Sequence, residues 1–277
     1  MRGAFELSNL QRLVDLVAEA ALREIMPRFT RLTAIEVRQK TSAFDVVTEA
    51  DEAAESFITR ALETDFQGCA VIGEESAGRD PAMLDHLATA PLCFLVDPLD
   101  GTKNFSSGLP LFGVMVAVIE AGEVVAGVIH DPVCRNTAVA MRDAGAWSQA
   151  EDGSRLQLKV ANPVPVREME GIVGTNFLSE PMRSTVNANL ARLGMTNWFR
   201  CAAHEYRLAA QGHCHVLFYN RLMPWDHAAG WLIHREAGGI GAHFDGSAYL
   251  PSHQSGGLLY APDESSWYKV IEALLGA

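Results

Sequence analysis

Residues 92–102 read Leu92-Cys93-Phe94-Leu95-Val96-Asp97-Pro98-Leu99-Asp100-Gly101-Thr102. The apolar run 92–96 has the length and flanks of a buried strand. Pro98 predicts where that strand stops, because proline has no N–H to give a ladder. Gly101 allows a positive φ or a close approach of backbone to ligand. Asp97 and Asp100 are therefore expected at the C-terminal end of a strand, just ahead of a turn whose amides are free. Hard divalent cations take oxygen ligands, and phosphate oxygens take backbone N–H groups. The ordinary alternative is an Asx-type turn, since Asp, Pro and Gly are all common turn residues. This segment alone does not decide between them.

On the N-terminal side, Leu7, Leu10, Leu13, Val14, Val17, Ala18, Ala21, Leu22 and Ile25 recur at three- and four-residue steps. They predict an amphipathic helix that ends before Pro27. A second helical pattern follows Thr48, with Ala54, Phe57, Ile58, Ala61 and Leu62 on one face. Residues 69–72 read as a strand. Residues 111–119 and 124–129 flank Ala121-Gly122 and predict a hairpin. Short strands are expected at 137–141 and around Trp147. Beyond the polar stretch 150–154, the expected elements are a strand at 171–175, helices near 182–193 and 205–210, and a strand at 216–219. That stretch predicts a boundary between an N-terminal half, 1–150, and a C-terminal half, 151–277. Hairpins layered with helices predict an α+β fold.

The chain has 277 residues, 48% hydrophobic and 20% charged, which is ordinary for a globular protein. Its net charge of −12 argues against a nucleic-acid surface. The same charge suits an anionic substrate poorly unless cations mediate the contact. The five cysteines form no Cys-x-x-Cys pair and read as reduced thiols rather than a disulfide framework. No signal peptide and no membrane-spanning run is visible, so a cytoplasmic protein is expected.

Three further segments bring carboxylates. Thr48-Glu49-Ala50-Asp51 opens the second helix, where the ordinary role of Thr48 and Asp51 is capping. Gly73-Glu74-Glu75-Ser76 follows a strand, as a solvated turn also would. Asp226, in Pro224-Trp225-Asp226-His227, opens a helix that Gly238-Gly239 ends, and capping again accounts for it locally. Together these explanations strain. Carboxylates at strand ends and helix starts converge if the strands share a sheet, and like charges ~4 Å apart repel by ~4 kcal/mol at an effective dielectric of ~20. Bound cations relieve that repulsion at neutral pH.

With these motifs in this order, ending in Glu236-Ala237-Gly238-Gly239, the chain resembles the inositol monophosphatase family of Mg²⁺-dependent, lithium-sensitive phosphomonoesterases. The resemblance spans nearly the whole chain and implies a layered α/β/α/β/α sandwich. It implies that Glu74, Asp97 and the Leu99 carbonyl hold one Mg²⁺, and that Asp97 bridges to another held by Asp100 and Asp226, with two or three ions in all. Glu75 and Asp51, helped by Thr102 and Glu74, act in the resemblance on water activated by the metal. Gly101 and Thr102 receive the phosphate. Lys40 and Asp45 match outer positions of the same site, and a homodimer is implied.

Where members of that family carry Gly-Ser/Thr-Ala, this chain has Arg200-Cys201-Ala202-Ala203-His204-Glu205. Where inositol-preferring members carry a hydroxyl-binding Glu, the register places Tyr219, followed by Asn220 and Arg221. Arg200 and Arg221 suit a second anionic group as bidentate donors, or serve as ordinary surface residues. The expected substrate is a small phosphate monoester like inositol monophosphate, bound through Gly101, Thr102, Asp226, Arg200 and Tyr219. The alternatives are histidinol phosphate, fructose bisphosphate, a nucleotide 3′-phosphate, or a non-catalytic regulatory role. His213-Cys214-His215 has no further ligand nearby in sequence and reads as a turn into a strand, while Trp225 and Trp231 read as core.

Overall fold

The run at residue 92 lies inside a seven-stranded sheet. The structure is a computed structural model that describes residues 5–31, 37–42 and 45–276. In chain order the first helices are α1 (Leu7–Ala20), α2 (Glu49–Asp65), α3 (Glu74–Arg79), α4 (His86–Thr89) and α5 (Thr102–Ser106). They are followed by α6 (Met182–Asn189), α7 (Ala202–Ala210), α8 (Pro224–Glu236) and α9 (Glu264–Leu275). Strands β1 (Val37–Ser42) and β2 (Asp45–Thr48) form a ribbon of their own. The large sheet runs in sequence order through β3 (Ala70–Gly73), β4 (Leu92–Asp100), β5 (Gly113–Glu120), β6 (Glu123–Asp131), β7 (Asn136–Met141), β8 (Gly145–Ala150) and β9 (Arg155–Gln157). A smaller sheet holds β10 (Glu170–Val173), β11 (Met195–Asn197), β12 (Val216–Tyr219), β13 (Ile240–His243) and β14 (Leu258–Ala261), in the order β11-β10-β12-β14-β13.

The two-residue period of β4 sets the layers. Phe94 and Val96 face α1 and α2, packing with Leu13, Val17, Ala54 and Ile58. Cys93 and Leu95 face the other way, into a core shared with Tyr206 and Ala209 of α7 and Ala228, Ala229 and Leu232 of α8. That same core reaches Ile172, Leu217, Leu258 and Tyr260 of the smaller sheet. The far side of the smaller sheet, through Val216, Phe218 and Leu259, packs on Val186 of α6 and Trp267, Val270 and Leu274 of α9. Helices, sheet, helices, sheet, helices is the α/β/α/β/α sandwich, and the fold is α+β. Among the described residues no helix is long and apolar enough to cross a membrane. All five cysteines are free thiols.

Pro98 does not end the strand. β4 continues through Asp100, and its register with β5 slips between Asp97↔Met115 and Asp100↔Gly113. The slip accommodates one extra residue, a bulge in which proline's missing N–H costs no ladder bond. Residues 150–154 form the turn of the β8–β9 hairpin, closed by Ala150 N–H donating to the Ser154 carbonyl. The expected hairpin at Ala121-Gly122 is present, with φ of 51° and 83°, the left-handed pair that a two-residue hairpin turn wants. α7 starts at Ala202, earlier than its apolar spacing predicts, because a carboxylate from another element caps it: Ala203 N–H donates to Asp100 Oδ2 at 2.6 Å.

Candidate active site

β3 and β4 are parallel, with Gly73 beside Val96. The residue following each is a carboxylate, so Glu74 and Asp97 leave the sheet side by side. Gly101, at φ 84°, turns the chain from β4 into α5. A side chain is barred there twice over, by that φ and by the Leu111 carbonyl, 2.8 Å from where a Cβ would sit. Thr102 then opens α5, whose first amides have no intrahelical acceptor.

Thr102 joins two elements. Its hydroxyl lies within donating distance of Asp51 Oδ1 (2.8 Å) and of the Leu99 carbonyl (2.9 Å). Asp51 is fully buried, and its Oδ2 accepts from Thr48 N–H at 2.8 Å and Thr48 Oγ1–H at 2.6 Å. The capping box expected from sequence is therefore present, and Asp51's second oxygen is left for Thr102. Burial raises the Asp51 pKa to about 7, with nearby Glu74 adding to the rise and the hydrogen bonds opposing it.

Asp97 is 2% exposed. Its pKa is pushed well up, first by burial and then by the charges of Glu74, Asp100, Asp226 and Asp51. Carboxylates contributed by β4, α2, α3 and α8 thus meet around one buried aspartate. Asp100 accepts from Cys201 Sγ–H at 2.9 Å as well as from Ala203 N–H, and its pKa rises to about 6, chiefly through burial. Asp226 lies in the first turn of α8. The next residue, His227, anchors that turn: its Nε2 lies 2.8 Å from the Arg221 carbonyl and its Nδ1 lies 2.9 Å from Tyr206 Oη.

One cavity is lined by Glu74, Asp97, Leu99, Asp100, Gly101, Thr102, Asp226, Arg200 and Tyr219. Glu75 is buried beside it at the start of α3, and Asp51 reaches the cavity through Thr102. The side chains of Lys40 and Asp45 lie outside the described residues. His213-Cys214-His215 is elsewhere, with His215 Nδ1 accepting from Glu170 N–H at 3.2 Å. Trp225 is buried.

Other wall residues carry weaker sequence signals. Glu205 is 2% exposed, accepts from Phe199 N–H at 3.1 Å, and has its pKa raised by burial to about 7. The Tyr219 phenol neighbours that carboxylate but forms no well-aligned hydrogen bond with it. Phe177 and Trp198, 57% and 45% exposed, flank the opening, where Arg221 lies over the Phe177 ring. Arg200 adopts φ 56° and lines the same wall.

The ion-binding capacity of the site follows from its donors. They are oxygens, and the buried Asp97 charge is opposed by four others, so a hard divalent cation matches both the chemistry and the charge. Among the described residues no three His, Cys, Asp or Glu side chains already stand at the spacing of a closed ion cage. Several carboxylate oxygens are instead held by protein donors, among them Asp97 Oδ1, which accepts from Leu99 N–H at 3.1 Å.

Residues 6–275 match the inositol monophosphatase family. The chain is 32% identical over 266 residues to the Nus factor SuhB of Haemophilus influenzae, covering 93% of this chain and 91% of that one. It is 30% identical over 216 residues to a fructose-1,6-bisphosphatase/inositol-1-monophosphatase of Thermotoga maritima, covering 76% of each. Among solved structures, the extragenic suppressor protein SuhB of Bartonella henselae superposes with a TM-score of 0.79 at 27% identity, covering 97% of this chain and 98% of that one. This chain belongs to the inositol monophosphatase family.

Proposed function

We propose that this protein is a Mg²⁺-dependent phosphatase that hydrolyses a small phosphate monoester. The observation that carries the reading is the one cavity that Glu74, Asp97, Asp100 and Asp226 line together, with Asp51 tied to it through Thr102. Glu74, Asp97, Asp100, Asp226 and the Leu99 carbonyl would hold the ions. When bound, Mg²⁺ acidifies water and takes up negative charge on the phosphoryl and leaving oxygens. Asp51 accepts the proton of the attacking water, and Glu75 helps to hold that water. Without a cation, burial and the Glu74 charge hold the Asp51 pKa at about 7; a cation on Glu74 would lower it and leave Asp51 ionised, able to accept a proton at neutral pH. Thr102 orients the water and is itself fixed by Asp51 and the Leu99 carbonyl. The Gly101 and Thr102 amides receive phosphate oxygens, and no covalent enzyme intermediate is required.

The leaving group faces Arg200, Tyr219 and Glu205, with Phe177 and Trp198 at the opening. This wall favours a leaving group with a second anionic or planar portion over a bare polyol. Similarity to a Nus factor favours a second reading, in which the fold serves a regulatory role without turnover. Phosphate release measured with inositol 1-phosphate, fructose 1,6-bisphosphate, histidinol phosphate and a nucleoside 3′-phosphate separates the two. A folded, Mg²⁺-replete protein that turns over none of them would leave the regulatory reading standing.

A further inference from the structure

Glu55 is 5% exposed and takes no part in the constellation around Asp97. It follows Asp51 by four residues on α2, a step that places both carboxylates on one face of the helix. Its two oxygens are shared between two backbone donors. Glu75 N–H donates to Oε2 at 2.7 Å, and Ser76 N–H donates to Oε1 at 2.9 Å. Both amides belong to the turn that carries Glu74 and Glu75, and neither has an acceptor within its own helix. A bidentate carboxylate therefore pins that turn to α2, the helix that also supplies Asp51.

Gly73 shows how closely the pieces fit. A Cβ built on Gly73 would overlap Cδ and Oε2 of Glu55, so a side chain there must push the carboxylate off its two amides. Arg79 approaches Oε1 only at 3.8 Å and is 64% exposed. Water screens that pair, and it adds little to the hold.

We infer that Glu55 is a positioning residue for ion binding, fixing the backbone of residues 74–76 so that Glu74 meets the cation without reorganising. The inference rests on Glu74 being an ion ligand, as proposed above. Groups that orient a metal's ligands commonly govern affinity although they never touch the metal. Glutamine is a discriminating substitute at position 55. It keeps the size but offers one acceptor oxygen, so its amide nitrogen would face one of the two buried N–H groups.

The test measures Mn²⁺ binding by electron paramagnetic resonance, with thermal melts alongside, in the wild type and in Glu74→Gln, Glu55→Gln, Gly73→Ala and Arg79→Ala. Glu55→Gln and Gly73→Ala are each expected to weaken Mn²⁺ binding about 10- to 100-fold while melting cooperatively, with Arg79→Ala unchanged. A purely structural role would lower the melting temperature and leave the affinity alone. Folded Glu55→Gln and Gly73→Ala proteins that bind Mn²⁺ within about twofold of wild type, while Glu74→Gln does not, overturn the inference alone. Unchanged binding in Glu74→Gln removes the ligand assignment and the inference with it. If Glu55→Gln does not fold, Gly73→Ala gives the same reading, because it retains the carboxylate and only displaces it. Failure of both to fold makes Glu55 a structural residue and overturns the positioning role.

Discussion

Replacing Asp51 with Asn separates the water-activating role from helix capping, because the buried hydrogen bonds around it survive the change. Oδ2 of Asp51 takes two donors from Thr48, and Oδ1 takes one from Thr102. An asparagine that keeps its oxygen toward Thr48 retains both of those bonds. Its amide nitrogen then faces Thr102 Oγ1, which accepts by turning its own hydrogen to the Leu99 carbonyl, 2.9 Å away. The bonds to Thr48 and Thr102 are kept, so the loss is that of the stronger bonds of an ionised cap plus the cost of burying the second amide N–H, ~1–3 kcal/mol in all, each kcal/mol being about 2–4 °C in Tm. Removing a buried charge opposed by Glu74 offsets part of that loss. Catalysis has no such compensation, because the amide cannot accept a proton. The kcat at saturating Mg²⁺ should fall by ~10²–10⁴, with KM moving less. Steady-state hydrolysis and a thermal melt on one preparation give both numbers. An Asp51→Asn protein that melts normally and keeps kcat within a factor of about three would refute the assignment.

Three further outcomes follow from the geometry. In EDTA the stability of the wild type relative to Asp51→Asn should be greater at pH 5 than at pH 8: the folded pKa of Asp51 (about 7) lies above the ordinary value of 3.8, so the folded wild type holds a proton there and loses that stability as pH rises through 7, while the buried His130, His227 and His234, whose lowered pKa values act in the opposite sense, are common to both proteins. Added Mg²⁺ should shrink that difference, and a metal-free wild type that gains on Asp51→Asn between pH 5 and pH 8 would contradict the buried-carboxylate picture. Asp131→Ala strands the buried Arg207 guanidinium, now paired at 2.6 Å, and should cost ~3–5 kcal/mol by denaturant titration; a loss under about 1 kcal/mol would mean the pair is solvated. Arg200→Ala should raise KM about tenfold for esters with a second anionic group and leave those without one unchanged, and equal effects on both would assign Arg200 to the phosphate itself.

The segment 92–102 was readable because a buried strand and a turn leave strong local marks, and its neighbours carry hairpin and capping signals. Pro98 misled on where the strand ends, since a bulge is a relation to the partner strand rather than a local preference. The start of α7 was hidden for a similar reason, its cap coming from Asp100, far away in sequence. β11 is three residues long and mostly exposed, too short for a period to register, whereas β13 and β14 are as long as β3 and β12 and went unread. α9 was legible, with Asp263 accepting from Ser266 N–H and Trp267, Val270, Ile271 and Leu274 on one face, yet the sequence reading assigns nothing after Gly239. Glu55 also left a mark, a carboxylate on the apolar face between Ala54 and Ile58. What it holds depends on how α2 docks against the 73–76 turn. Glu205 became a wall of the cavity only through the packing of α7 between the two sheets.

The central claim is that the carboxylates meeting at Asp97 hold Mg²⁺ for phosphate ester hydrolysis. Phosphate release by the wild type and by Asp97→Asn, with Mg²⁺ and with EDTA, tests it most directly. The account predicts release that requires Mg²⁺ and is lost, together with Mg²⁺ binding, in a folded Asp97→Asn protein. Release that persists in EDTA, or near-wild-type hydrolysis by Asp97→Asn, would contradict it.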